Sequence, residues 1–404
     1  MIQTTNPRRA RWWLPAVLLA LAIATWLWLV LRSDAIELRV AGREEVVLEG
    51  ERFDCPNRYL PDAPVRAFRD GDRKIQLIVP HHEAYRMMGP DLHNLALDCA
   101  PVFRSDLEAD PARFNDREWL SSVYALDDER LVALVHMEYQ GHRHPGRCRA
   151  GRYGDCWYNA ITLAKSTDGG ESFHHLSPPE HLVASLPSRY RPGQGPAGVF
   201  SPSNVVFRAE DGFYYVLVRV VPYGDANRRV CVLRTRDPSD PNAWRAWDGE
   251  SFDYSFSNPY SDAGERPDSA LCEPVATAEI QTMSQSVTFN TELDRFLLVG
   301  TASRIDPRSR RLQTGFYYSL SKDLIHWTER QLLLETGTPN TFECGDPDPL
   351  SYPSVIDPDS RSRNFETSGR RPYLYFVRIH MEDCRPTGYR DLVRLPIEIR
   401  KNDG

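Results

Sequence analysis

Beyond residue 33 the chain has no long stretch of helical periodicity, which excludes helical bundles and coiled coils. No glycine-rich loop follows an apolar run and opens a helix, and no GxSxG elbow occurs, so phosphate-loop and nucleophilic-serine chemistry have no support. None of the eight cysteines stands in a CxxC, which weakens a structural zinc reading. Basic charge is in deficit, 49 Lys and Arg against 56 Asp and Glu. All 56 acids and all but four of the bases lie beyond residue 33, so that part is more acidic than the −7 of the whole chain. This argues against a nucleic-acid partner.

The first 33 residues differ in kind. Residues 12–31, WWLPAVLLALAIATWLWLVL, carry no charge and are long enough to span a bilayer. Arg8, Arg9 and Arg11 precede this run and only Arg32 follows directly, predicting a cytoplasmic amino terminus and an extracytoplasmic remainder. No basic cluster of four or more flanks the run, which implies attachment more than lipid signalling. A cleaved signal peptide is the rival reading. The small residues Ala20, Ala22 and Ala24 are followed by TWLWLVL, however, so the apolar run does not end there and an uncleaved anchor is favoured. Expected divisions are a basic segment 1–11, a transmembrane anchor 12–31, a linker with a ring-closing strand 32–59, and one domain over 60–404. All eight cysteines fall beyond the anchor, and their even number in an exported domain predicts disulfides. Cys148 and Cys156 are the best single pair, because they bracket a short loop.

The rest is short runs of Val, Ile, Leu, Tyr and Phe broken by Asp, Gly, Asn and Pro, the pattern of strands and turns. A short strand, a polar turn and a second apolar strand recur at 63–79, 120–135, 201–218, 284–299 and 352–377, each ending on valine. The second strands are nearly continuously apolar and so predict burial on both faces. In an antiparallel protein that means small sheets packed around an axis: an all-β, five-bladed β-propeller. A sixth, degenerate blade in 81–117 or 245–283 stays open. The final run 391–399 or the stretch 36–40 is expected to complete the first blade.

Further along three units come STDGGESF (166–173), TRDPSDPNAW (235–244) and SKDLIHW (321–327). A short carboxylate can bond its own turn, glycine tolerates positive φ, and an aromatic can cover the turn. STDGGESF resembles the Asp-box of sialidases and related propellers, and YSLSKDLIHW resembles the outer hairpin of five-bladed glycosidase-like propellers. The resemblance implies architecture over most of residues 60–395, with structural roles for Asp168, Asp237 and Asp323. The five-bladed glycosidases that the chain resembles place acidic residues on the inner strands of several blades, and Asp62 fits the first such position.

The start of each first strand lies beside the end of its second strand, so five such ends should surround one mouth. Aligning Val79, Val135, Val218, Val299 and Val377 and applying strand alternation brings one set of polar residues to that rim. Asp62, Glu118 and Glu138 are the acid and base candidates, with His136 as an orienting or catalytic partner. Arg219, Arg378, His380, His82, Asn204, Trp119 and Tyr139 are the expected substrate-binding residues. The two HME tripeptides, at 136–138 and 380–382, are read as equivalent strand ends. His82, His136 and His380 form no compact ligand motif, so no metal or other cofactor is expected, and Ca²⁺ has no sequence support. The leading expectation is a membrane-anchored, extracytoplasmic propeller that hydrolyses a carbohydrate, with Arg219 and Arg378 suited to an anionic one. A non-catalytic carbohydrate-binding propeller and a protein-interaction scaffold are the alternatives.

Overall fold

The structure is a computed structural model that describes residues 36–52, 55–56, 60–149, 152–224 and 228–401. The basic segment 1–11 and the apolar run 12–31 lie outside the described residues. Among the described residues no helix is long and apolar enough to cross a membrane.

Each of the five repeats folds into an antiparallel blade. Blade 1 is complete in itself, with strands Arg66–Arg69, Ile75–Val79, Glu83–Gly89 and Ala96–Arg104. Blade 2 runs Arg117–Ala125, Leu131–Gln140 and Trp157–Ser166, with short outer segments His174–His175 and Leu182–Ala184. Blade 3 has a broken inner strand, Ala197–Phe200 and Val206–Arg208, then Phe213–Val221, Arg229–Thr235 and Arg245–Ala246. Blade 4 is Ser286–Asn290, Arg295–Ile305, Leu312–Ser321 and Gln331–Glu335. Blade 5 is Leu350–Ile356, Tyr373–Glu382 and Arg385–Lys401. The stretches suspected of hiding a sixth blade instead supply outer strands of blades 1 and 3 and the connections beside them.

Ring closure corrects one expectation. Ile36–Val40 and Glu45–Leu48 pair with Arg385–Lys401, so both terminal stretches complete blade 5 and not blade 1. The first repeat already carries four strands and has no place to fill.

The inner strands are tied into a circle by side chain to backbone bonds. The Asn204 amide donates to the Val287 carbonyl at 2.6 Å and accepts from its N–H at 2.9 Å. Ser122 accepts from Val205 N–H, Ser286 accepts from Val355 N–H, and Ser354 donates to the Val65 carbonyl. At the centre stands Arg66, 3% exposed. Its guanidinium donates to the carbonyls of Ser121 (2.8 Å), Gln285 (2.7 Å) and Pro202 (3.5 Å) and to Ser354 Oγ (3.2 Å). One side chain from blade 1 therefore touches all four other inner strands. Five strands can meet one guanidinium only if they surround an axis, and this establishes the propeller ring. Apolar clusters fill each interface between blades, for example Leu77, Val79 and Tyr375 between blades 1 and 5.

The three aspartate turns lie between third and fourth strands and bond themselves. Asp168 accepts from Ser172 N–H and from the Ser166 and Ser172 hydroxyls. Asp323 accepts from the N–H groups of Ile325 and His326, while Asp237 accepts from Ser239 N–H. Their carboxylates are used in holding local turns.

All eight cysteines are paired: Cys55–Cys99, Cys148–Cys156, Cys231–Cys272 and Cys344–Cys384. Replacing Cys148 and Cys156 together by alanine is expected to cost about 2.5 kcal/mol, because an eight-residue separation closes a small loop. Denaturant unfolding of the double variant beside the parent checks this.

Candidate functional site

The mouth expected from the repeats contains a continuous arc of polar and aromatic side chains. It begins at Asp62, just before the inner strand of blade 1. The Tyr352 hydroxyl donates to Asp62 Oδ1 at 3.0 Å, and Arg390 from the third strand of blade 5 makes a short bond to the same oxygen. His81 Nε2 lies 3.7 Å from Asp62 Oδ2. The arc continues through Trp119, whose ring lies 6.1 Å from that of His81 and 5.9 Å from that of His136. His136 is 5.7 Å from the Phe200 ring, over which Arg219 sits at 4.7 Å. Blades 5, 1, 2 and 3 contribute. Blade 4 offers Gln285, whose side-chain oxygen accepts from backbone Ser284 and Thr301.

His136 is held in one tautomer. The Asn159 amide donates to the Ala197 carbonyl at 3.0 Å, which turns its oxygen toward His136 Nε2, also at 3.0 Å. Nε2 must therefore carry the proton. Burial first, and then the Arg219 charge, push the imidazole down to about 4, against the bond to Asn159. At neutral pH His136 is a neutral ring whose Nδ1 can accept. Ala197–Phe200 reaches this place because it pairs on both sides, antiparallel with Phe213–Val221 and parallel with Trp157–Ser166. Gly198 permits the approach: its φ is +134°, and a Cβ there would lie 2.2 Å from the Asn159 carbonyl oxygen.

Glu138 is two residues beyond His136 on the same strand and is 9% exposed. Burial raises its carboxyl to about 7. A bond from the Gln140 amide at 2.5 Å works the other way, while the Asp62 and Asp116 charges push in the same direction as burial. Gln140 in turn accepts from Arg143 Nε at 2.6 Å. The Cys148–Cys156 loop carries Tyr153, 71% exposed, whose ring meets that of Trp157 at 4.6 Å. The fields of Glu138 and Asp62 both reach the Tyr153 hydroxyl. His82 stays at the mouth, half-buried beside His81 with ring centroids 4.0 Å apart, and burial lowers its pKa.

Five expected site residues are elsewhere. Arg378 and His380 lie on the wrong face of blade 5. Val79, Val135 and Val218 pack toward the preceding blade, whereas Val299 packs toward the following one. In blade 5, Phe376 faces blade 4 and Tyr375 faces blade 1, so Val377 is out of step as well. A one-residue slip turns every side chain over. Arg378 pairs with Glu44 and Asp391, and His380 lies between Asp348 (3.0 Å) and Asp391 (2.9 Å). The second HME is therefore not equivalent to the first. Arg390, across the hairpin on the other face, is the blade 5 arginine that reaches the mouth. Asn204 is occupied as the clip between blades 3 and 4. Tyr139 is 1% exposed, with its hydroxyl on the Ala109 carbonyl. Glu118 is 0% exposed and faces His175, not Asp62.

Sequence reasoning misses Arg390, His81 and Phe200 as site residues. His81 is missed when strand alternation is carried past Val79, where the strand ends. Arg390 has no local signal, since a long hairpin brings it to Asp62 from 328 residues away.

No family model matches the chain, and no curated protein matches it. Solved structures do resemble it. The protein of an RGII complex superposes with a TM-score of 0.50 at 10% identity, over 91% of this chain and 93% of the other. An exo-1,5-alpha-L-arabinanase from a bovine ruminal metagenomic library gives 0.46 at 9% identity, over 85% and 96%. The xylan beta-1,4-xylosidase of Bacillus halodurans C-125 gives 0.44 at 10% identity over 85% of this chain, which spans about half (54%) of the xylosidase. Near-complete mutual coverage with the first of these places the chain in the same overall fold.

Proposed function

We propose that this protein is a glycosidase-like hydrolase acting on carbohydrate at the mouth lined by Asp62, His136 and Glu138. The observation that carries the reading is a pair of carboxyl groups in opposite surroundings on one rim. Asp62 meets an arginine and a tyrosine hydroxyl. Glu138 is buried, with its carboxyl raised to about 7. Glycoside hydrolysis commonly uses such a pair, one group donating a proton to the leaving oxygen and the other acting as base or nucleophile. Glu138 takes the acid role and Asp62 the other. Trp119 offers an apolar wall beside His136. Arg219, over the Phe200 ring, gives the rim its cationic side and favours an anionic sugar.

A sialidase-type reaction would need a tyrosine nucleophile. Tyr352 is the tyrosine in place, but burial and the Asp62 charge raise its hydroxyl well above the usual range. That makes it a poor nucleophile, and the two-carboxylate scheme is preferred.

The reading includes an extracytoplasmic location with attachment through 12–31. Pairing of all eight cysteines supports an oxidising compartment.

The test is a hydrolysis and binding screen of the full chain against neutral and acidic oligosaccharides, with Asp62→Asn alongside. Release of new reducing ends by the parent and not by Asp62→Asn is expected. Binding without turnover would favour a carbohydrate-binding propeller, and neither binding nor turnover would favour a scaffold.

A further inference from the structure

The displaced Glu118 leads to a second cluster. It lies on the inner strand of blade 2 beside Leu120, which packs into the core between blades 1 and 2. Opposite it are His175 and His181, from the excursion that forms the outer edge of the same blade. Each residue offers one ligand atom, and all three atoms lie within 4.8 Å of one another. Glu118 and His181 are 0% exposed, and the His175 side chain is 13% exposed.

The hydrogen bonding of this cluster is incomplete. His175 Nε2 and Glu118 Oε2 are 2.8 Å apart, yet neither carboxylate oxygen and neither His175 nitrogen makes an aligned hydrogen bond. His181 Nε2–H donates to the Phe114 carbonyl at 3.1 Å, leaving Nδ1 buried and without an aligned hydrogen bond. A ring fixed through one nitrogen by a backbone carbonyl, with the other directed into a shared space, is how metal-binding histidines are held. Buried polar groups are normally satisfied, and a cation would satisfy these.

We propose that Glu118, His175 and His181 form a structural site for a divalent transition metal, of which zinc is the simplest. Two imidazoles and a carboxylate are a donor set that suits this class; ligand bonds of about 2.0–2.2 Å set neighbouring ligand atoms roughly 3.4 Å apart, so on binding the 2.8 Å Glu118–His175 pair opens and the wider separations close. The site joins the outer excursion of blade 2 to its inner strand. It is separate from the arc at the mouth and does not depend on the proposed hydrolysis.

The experiment is zinc titration of the chelator-stripped full chain, read by metal content and melting temperature. One zinc per chain and a rise in melting temperature are expected, since a ligand that binds only the folded state stabilises it. Cobalt(II) in place of zinc should give the visible absorption of a four-coordinate ion. Glu118→Gln keeps the shape and removes the charge, and should lower zinc affinity at least tenfold, whereas Glu138→Gln should leave it unchanged. If Glu118→Gln does not fold, His175→Gln at the less buried position gives the same reading. Failure of the parent to take up zinc, or equal uptake by the ligand variants, overturns the proposal and leaves a buried Glu118–His175 pair.

Discussion

Replacing Arg66 by methionine is expected to cost about 3–5 kcal/mol of folding stability, among the largest effects of any single change in the ring. The guanidinium donates to three carbonyls and one hydroxyl on four other blades. Methionine fills similar length but leaves those acceptors buried and unmet, at about 1–3 kcal/mol for each one that water cannot reach. Lysine would not repair the loss, because an ammonium cannot present a planar fork to acceptors on several sides. Burial opposes the charge and pushes Arg66 down to about 9, so the native ring already bears a cost that its bonds offset. Equilibrium unfolding in guanidinium chloride would read the difference. An Arg66→Met protein as stable as the parent would mean the axis is held by blade-to-blade packing alone.

Glu138→Gln is expected to lower kcat for sugar hydrolysis by about 10²–10⁴ without loss of fold, the usual yield of one positioned proton donor. As the acid, Glu138 must hold its proton, so parental activity should fall as pH rises through about 7. Glutamine cannot ionise, and the remaining activity should lose that limb. Stability has the same sign. The folded carboxyl titrates above its ordinary 4.5, so the native state holds the proton more tightly than the unfolded chain. The advantage is present below about 4.5 and is lost as pH rises through about 7. Binding and turnover unchanged in Glu138→Gln would remove Glu138 from the chemistry.

Blade count, the cysteine loop at 148–156 and the side of the ring that bears the mouth were legible because they rest on short-range patterns. The apolar second strands, the polar turns and the self-bonded aspartate turns each carry their own signal. Placement at the mouth was legible only where a side chain lies within a few residues of a well-defined strand. His136 and Glu138 are such cases. Arg378 and His380 failed because the register was set by a terminal valine, and the strands of blades 4 and 5 carry that valine on the opposite face. Arg390 could not be inferred, since its partner Asp62 is 328 residues away and no local motif announces the contact. Glu118 looked like a rim acid because nothing in the sequence shows that its neighbours across the sheet are histidines.

Pairing of Ile36–Val40 with Arg385–Lys401 also fixes an order of events. Ile36–Val40 finds its place only after Arg385–Lys401 has been made. Until then blade 5 lacks its outer edge, and the carbonyls waiting for Arg66 belong to strands still being synthesised. Contacts separated by most of the chain length form slowly. The growing chain must therefore keep an open, adhesive edge from pairing with other molecules throughout its synthesis. In this fold the ring can close only once the last hairpin of blade 5 has been made.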